Sequence, residues 1–583
     1  MGTYDRNNKA QSVEVGRSIA RMVGFTWACF AFGTWLAVWL CWDVNPGSTG
    51  VSDGSAASRD LYAFTAALFG IIPAYILTVL RTGRDMYKQN EEVHQKATQR
   101  QAAAVVAKTA HMQPVRRAGF NGLTLGLSTG FLAGRGHYSG MRNGTRLHLP
   151  PADACKNIVI FGGIGGGKTT RAINPLLQQV LAQDCSALVF DIKGDFRREV
   201  DYIAGQVGRT YQVVGDGGLT LNLFRGCTPE VAASYLKSCF IAGGSANGDG
   251  SFWAETATNY CRNLLTLLRL AKGDYSIAGL ADLVFSDARR MDALKVVREY
   301  EQAGQLAARD IRVWNAVLGY MVDTVNKWDD KFRGNVQGTC EAVLNPFVSP
   351  DLVDAFSVES AHGEADLYEL LNSPTVFLVN LPRHKFGNQG ARFAYLLIKL
   401  RFFTMMSERR SRPDVNQERY VAFLCDEYQG IVDSVSDTDF WDKSRSSKCF
   451  GILSMQGYSS LVEAVGSNKT ADAIMQNWRQ RAIFRTEDGA TLEMVQRLLG
   501  QVDVHIESTS YAESTSTSMG GGHRTTSYSE NEGQSVGIQR QALFDANDFR
   551  KLDAQFALFI GNVGDKAADD VIELQPLFVP EPN

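Results

Sequence analysis

The run Gly162-Gly163-Ile164-Gly165-Gly166-Gly167-Lys168-Thr169-Thr170 contains the pattern G-x-x-x-x-G-K-[ST]. Glycines at those positions let backbone N–H groups close around a β-phosphate, the lysine reaches the β- and γ-phosphates, and the first threonine hydroxyl can ligate Mg2+. Gly162 through Thr170 are therefore the expected nucleotide-binding residues, with ATP and Mg2+ as cofactors and Lys168 as the catalytic cation. A second element, Tyr420-Val-Ala-Phe-Leu-Cys425-Asp426-Glu427, is an apolar β-run ending in two carboxylates, the form of a Walker B strand. Asp426 is expected to hold Mg2+ together with Thr169, and Glu427 to polarise the attacking water. The next apolar run, Cys449 to Gln456, ends in a glutamine placed to sense the γ-phosphate.

These groups need a scaffold that gathers them. Lys156–Phe161 reads as a short buried strand that runs into the glycine loop, and a helix should follow it. Ser186–Asp191, Thr375–Asn380 and Arg481–Arg485 read as further strands, with helical stretches between them. The pattern predicts an α/β fold, a doubly wound parallel sheet of the RecA type, with the polar strand tips at its carboxyl edge. The Walker B tip is expected beside the phosphate loop. Between the two motifs, residues 228–340 show amphipathic helical runs and no convincing strand, which predicts an inserted all-α domain. The loop Gly243–Ser251 is expected at its edge. Residues 508–535 are rich in Ser, Thr and Gly without apolar periodicity. A flexible surface loop is the first reading of that segment, and a β-hairpin on the surface the alternative.

Composition narrows the function classes. Hydrophobic residues at 45% and charged residues at 21% describe a folded chain and exclude wholesale disorder. A net charge of -3 excludes a protein that coats nucleic acid by bulk charge, leaving room for a local basic channel. The 10 cysteines are scattered without a CxxC pair, against a disulfide scaffold or a Cys/His zinc site. Met22–Trp42 and Leu61–Leu80 carry no charge, and each is long enough to span a bilayer. Arg and Lys flank the pair on both outer sides, whereas the Asp43–Asp60 loop has only Arg59. The positive-inside rule then predicts a membrane hairpin with a periplasmic loop and a cytoplasmic body.

Several segments together resemble the type IV secretion coupling proteins, the hexameric DNA-translocating ATPases of bacterial conjugation. They are the two N-terminal spans, the phosphate loop followed by Asn174-Pro175, the Val189-Phe-Asp-Ile-Lys-Gly-Asp195 strand and Phe252-Trp253. Gly334-Asn-Val-Gln-Gly-Thr339, Pro346-Phe-Val-Ser-Pro-Asp-Leu-Val, Phe377-Leu-Val-Asn-Leu-Pro382, Asp426-Glu427 and Gln456 continue the match. The resemblance implies a homohexamer in the bacterial inner membrane, coupling relaxase-bound DNA (the relaxosome) to the components of a secretion channel. It also implies that an arginine between Walker B and the glutamine acts in trans on a neighbour's nucleotide. Arg445 occupies that place, with Arg485 as competitor. Two departures stand out. Leu221-Asn222-Leu replaces the family's Asn-Pro-Leu, and only a short acidic tail (Asp565, Asp569, Asp570, Glu573, Glu581) follows the sheet domain, so a large accessory recruiting domain is not expected.

The expected organisation is a cytoplasmic N-terminus (1–21), a membrane hairpin (22–80), a stalk (81–118), the first part of the nucleotide domain (119–227), the helical insertion (228–340), and the second part (341–583). Other machines share the motor motifs: an effector-protein coupling ATPase, the secretion system's assembly ATPase, or a septal DNA translocase. A membrane scaffold with a degenerate nucleotide site is the reading from another class, and intact Lys168, Thr169, Asp426 and Glu427 argue against it.

Overall fold

The computed structural model describes residues 119–137, 141–244, 249–356, 363–520 and 523–580. The expected spans Met22–Trp42 and Leu61–Leu80 and the stalk lie outside these residues. Among the described residues no helix is long and apolar enough to cross a membrane.

The body is organised on an eleven-stranded sheet. In chain order its strands are β1 (Leu123–Ser128), β2 (Arg146–Leu149), β3 (Ile158–Phe161), β4 (Ser186–Asp191), β5 (Gln212–Gly215), β6 (Val376–Asn380), β7 (Val421–Cys425), β8 (Cys449–Met455) and β9 (Gln480–Ile483). The hairpin strands β10 (Gln501–Gly520) and β11 (His523–Ala542) stand outside the sheet. Then come β12 (Phe556–Ile560), the minor pair β13 (Asn562–Val563) and β14 (Lys566–Ala567), and finally β15 (Asp570–Leu574). The spatial order is β2-β1-β15-β12-β9-β3-β8-β7-β4-β6-β5. From β9 to β5 every pairing is parallel, and from β9 to β2 every pairing is antiparallel.

The parallel strands are legible because both their faces are buried. Ile158-Val-Ile-Phe161 and Val421-Ala-Phe-Leu-Cys425 are buried throughout, so they read as unbroken apolar runs. Alternate residues feed two cores. Val159 and Phe161 join one, with Phe393 and Trp441, and Ile158 and Ile160 join the other, with Leu176 and Ile203. Helices α1 (Asn174–Ala182) and α2 (Arg197–Val207) cover the second face. The antiparallel side reads differently. In β2 the burial alternates, and in β1 Gly126 is required because a Cβ there would lie 2.2 Å from the Glu573 carbonyl.

Between β5 and β6 in the chain, though the two strands pair directly in the sheet, the described residues form seven longer helices and the short turn Glu369–Asn372: α3 (Pro229–Ala242), α4 (Asp249–Leu270), α5 (Ile277–Phe285), α6 (Asp287–Gln302), α7 (Ala308–Asp323), α8 (Asp330–Leu344) and α9 (Pro350–Phe356). Their starts are written locally. Thr228, Ser276 and Asp329 each accept a hydrogen bond from a first-turn N–H, and Pro229 adds the preset φ of a first helical residue. α3 ends at Ala242 and α4 begins at Asp249, so the expected Gly243–Ser251 loop falls between two helices, inside the helical region and not at its edge, and Asp249, Gly250 and Ser251 are helical. After β6, α10 (Asn388–Glu408) leads to β7, and α11 (Ser436–Lys443) leads from β7 towards β8. Then α12 (Tyr458–Val465) and α13 (Asn468–Asn477) precede β9, and α14 (Gly489–Leu499) follows it.

Three further expectations change. The Walker B strand β7 is not the direct neighbour of β3, because β8 lies between them. The 508–535 segment belongs to a hairpin in continuous register from Gln501↔Ala542 to Gly520↔His523, the alternative reading. It escaped the apolar pattern because its residues are mostly Ser, Thr, Gly and charged types, and the backbone pairing between the two strands makes no demand on them. The acidic tail is not a tail either. Asp570 is fully buried in β15, where it binds the Ser128 hydroxyl and the N–H groups of Gly130 (2.5 Å) and Leu132 (2.9 Å). Asp569 accepts from Gly561 N at 3.0 Å.

Candidate active site

The phosphate loop leaves the carboxyl end of β3 and folds back against β9. A Cβ at Gly162 would lie 2.7 Å from the Phe484 Cβ, and Gly167 holds φ +85°, so both positions demand glycine. Gly163 N donates to the Arg485 carbonyl (3.3 Å) and Gly166 N to the Gly163 carbonyl (3.2 Å). Ile164 stands out at the tip, 92% exposed. Lys168 Nζ donates to the carbonyls of Gly162 (2.5 Å) and Gly163 (3.1 Å). Burial lowers the Lys168 ammonium's pKa, against the opposing pull of Asp426 and Glu427. Thr169 and Thr170 begin a wide turn, Thr169–Ile173, with i→i+5 spacing. Pro175 explains it, since a proline has no N–H to return to the preceding turn. The glycine cradle and the hydroxyl-plus-carboxylate donor set of Thr169 and Asp426 suit a polyphosphate with Mg2+, a hard cation that binds one or two carboxylates and phosphate oxygens.

Across the carboxyl edge, β7 delivers Asp426 and Glu427. Glu427 has φ +60°, a left-handed conformation rare for a residue with a side chain. Its carboxylate is held on three sides. Lys193 Nζ lies 2.9 Å from Oε1, Gln429 donates to Oε2, and Gln456 Nε2 lies 3.5 Å from Oε2. Burial would raise the Glu427 carboxyl, but Lys193, Gln429 and Lys168 outweigh it and hold the group below the ordinary range. The same Lys193 Nζ is 3.6 Å from Asp426 Oδ2. The intervening β8 is what brings Gln456 between the two motifs.

The two arginines part company. Arg485 follows β9, and its backbone carbonyl takes the Gly163 N–H, so its main chain lies against the phosphate loop. Arg445 lies in the turn Ser444–Ser447, which precedes β8. Because β8 runs parallel to β3, pairing Ile158 with Ile452, Arg445 is at the amino edge, opposite the phosphate loop. It is exposed and makes no side-chain hydrogen bond or ion pair among the described residues.

Comparison with known proteins separates the chain's parts. Residues 143–326 match the family model described as the type IV secretion-system coupling protein DNA-binding domain. Residues 420–554 match the TraM recognition site of TraD and TraG. The first spans the phosphate loop and much of the helical region, and the second begins at the Walker B strand. The chain belongs to the type IV secretion coupling-protein family. Solved coupling proteins share its fold. The unbound monoclinic form of the bacterial conjugative coupling protein TrwBdeltaN70 matches with a TM-score of 0.50 at 14% identity, over 74% of this chain and 87% of that one. Its trigonal form with sulphate gives 0.51 at 14%, over 79% and 94%. TrwB in complex with the GTP analogue GDPNP gives 0.50 at 14%, over 74% and 88%. No curated protein sequence gives a significant match.

In this coupling protein the segment from Glu427 to Arg445 is tied down by a buried ion pair. Lys399 of α10 and Asp437 of α11 meet at 2.6 Å with both side chains wholly buried. Lys399 also donates to the Ile431 carbonyl (2.5 Å), and Asp437 accepts from the Tyr428 hydroxyl, Trp441 Nε1 (2.9 Å) and Asp433 N (2.6 Å). Sequence reading missed this network, and it missed Lys193. The available signal for Lys193 was its position at the polar tip of β4, in Asp191-Ile-Lys-Gly-Asp195. The segment Val189–Asp195 is one that carries the family resemblance, but the resemblance attaches no role to its lysine, and only the folded sheet shows that Lys193 faces Walker B.

Proposed function

We propose that this chain is the ATP-hydrolysing coupling protein of a type IV secretion system, and that it passes relaxase-bound DNA to the secretion channel during conjugation. The observation that carries the reading is the convergence of Lys168, Asp426, Glu427 and Gln456 on one sheet edge, in a chain whose residues 143–326 match a coupling-protein DNA-binding domain. Lys168 is the cation for the β- and γ-phosphates, Thr169 and Asp426 hold Mg2+, Glu427 orients water, and Gln456 reads the γ-phosphate through Glu427. Mg2+ supplies charge neutralisation on the phosphate oxygens when bound. Gly162 to Gly167 shape the cradle, and Thr170 continues the first turn of its helix.

The match of 420–554 to the TraM recognition site supports a relaxosome-type protein partner at this end of the body. The uncharged runs Met22–Trp42 and Leu61–Leu80 support a two-span inner-membrane anchor, and an Arg445 remote from its own phosphate loop supports a ring, read here as a homohexamer.

The test is hydrolysis by the full-length protein in detergent, with and without DNA, beside mating assays with the same variants. Lys168→Ala is expected to abolish both turnover and transfer. Glu427→Gln is expected to keep nucleotide binding and lose turnover, because only the water-orienting carboxylate changes. Near-normal turnover in either variant overturns the assignment. Wild-type DNA transfer without Lys168 would overturn the DNA-motor reading, and loss of effector-protein export alone would redirect it to protein cargo.

A further inference from the structure

The Walker B carboxylates have a lysine partner that neither motif supplies. Lys193 follows β4, in a turn whose backbone is held from within. The Asp191 carboxylate accepts from four consecutive N–H groups: Gly194 (2.7 Å), Asp195 (3.2 Å), Phe196 (3.1 Å) and Arg197 (3.2 Å). The Asp191 carbonyl accepts from the Tyr395 hydroxyl of α10 (2.5 Å), which in turn accepts from Leu381 N (2.8 Å). The loop is thus anchored to the core through both the carboxylate and the carbonyl of one residue. From this fixed base a half-exposed side chain extends to Glu427 Oε1 at 2.9 Å and stands 3.6 Å from Asp426 Oδ2. A surface lysine would lose rotamer entropy for a weak pair. This one is aimed at the two carboxylates on which the chemistry depends, one of them on a left-handed backbone.

We propose that Lys193 is a positioning residue of the nucleotide site: it holds the Glu427 carboxylate in its working orientation, and its charge opposes a divalent cation at Asp426. This deepens the ATPase reading and rests on it. A carboxylate that orients water must be fixed as well as present. Gln429 and Gln456 both grip Oε2, so Lys193 alone grips Oε1 among the described residues. Removing the ammonium frees one end of Glu427 and also removes a positive charge beside the metal ligand. The two effects run in opposite directions: slower turnover, and a lower demand for Mg2+. A general loss of structure would produce slower turnover with weaker binding.

The experiment uses the full-length protein in detergent, with steady-state ATP hydrolysis and, as a readout independent of turnover, the Mg2+ dependence of ADP binding. Lys193→Met is expected to lower kcat by about tenfold or more with KM changed by less than about twofold. It is also expected to lower the half-saturating Mg2+ concentration for ADP binding by at least about twofold. Lys193→Arg, which keeps the charge, should return both values towards wild type. In a Glu427→Gln background, Lys193→Met should add little further loss of turnover while still shifting the Mg2+ requirement, because residues acting as a unit are not additive. Unchanged kcat, an unchanged or raised Mg2+ requirement, or a fully additive loss in the Glu427→Gln background each overturns the proposal. A wild-type protein that binds no nucleotide overturns the ATPase reading itself, which is a different result.

Discussion

A wholly buried ion pair is most informative at its weakest point, the moment one partner is removed. Lys399 and Asp437 have no water to fall back on. Asp437 would still keep three donors in Lys399→Met, but as an uncompensated charge, and Lys399 in Asp437→Leu would keep the Ile431 carbonyl and the ring faces of Phe403 and Tyr428 but no counter-ion. Each single variant is expected to lose about 3–5 kcal/mol of stability, and the double variant clearly less than their sum. A double-mutant cycle in chemical denaturation measures this directly, and additive losses would show that the pair is not a unit. Burial and the Asp437 charge both push the Tyr428 hydroxyl's pKa up, so it stays a neutral donor in this network. At this scale the sequence was legible wherever a residue type and its spacing were themselves the chemistry, as in Gly162 to Thr170 or Asp426-Glu427. It was silent wherever a role arises from contact across the sheet. Lys193, Lys399 and Asp437 come from three separate elements, and nothing in their local sequence states that they share a site or a core.

Elements differ in how much of their stability they owe to the rest of the chain. Strands β10 and β11 pair only with each other, and the hairpin, at about 3.3 Å per residue, reaches roughly 66 Å from end to end. Excising 503–540 and closing the gap with a short glycine linker is therefore expected to leave the body's melting temperature within about 2 °C of wild type. A large drop would mean that the hairpin holds the body together. Gly126→Val should do the opposite damage from a single atom group, because its Cβ meets the Glu573 carbonyl where β1 pairs with β15. The expected cost is about 1–3 kcal/mol, read from the same melts. The contrast also explains which elements could be read from sequence. The seven parallel strands include five that announce themselves as fully buried apolar runs. On the antiparallel side β1 carries Gly126, β15 carries Asp570 and Glu573, and β2 alternates in burial, so of these strands only β12 reads as a buried apolar run. Asp570 looked like part of a solvated tail because a buried carboxylate and an exposed one are the same letter, and only Ser128, Gly130 and Leu132 distinguish them.

For the whole molecule, the expectation is that one subunit cannot complete its own site. Arg445→Ala should bind ATP normally and hydrolyse it poorly, an arginine supplied in trans being worth about 10³–10⁵ in turnover. Mixing that variant with Glu427→Gln should restore part of the activity, because some interfaces then pair an intact Glu427 with an intact Arg445. If mixed assemblies form and no ratio restores any activity, Arg445 does not act across subunits.

If Arg445 completes a neighbour's site, as proposed, its position carries a consequence for stoichiometry. A subunit with its arginine at one end of the sheet and its phosphate loop at the other has two unlike poles. Such subunits can join only head to tail, so a pair has one finished site and one unfinished, and every open chain wastes its last member. Only closure into a circle finishes them all at once. The cost of a defective copy follows from the same polarity: one arginine-less subunit silences one junction, its neighbour's, and leaves its own pocket served by the subunit on the other side.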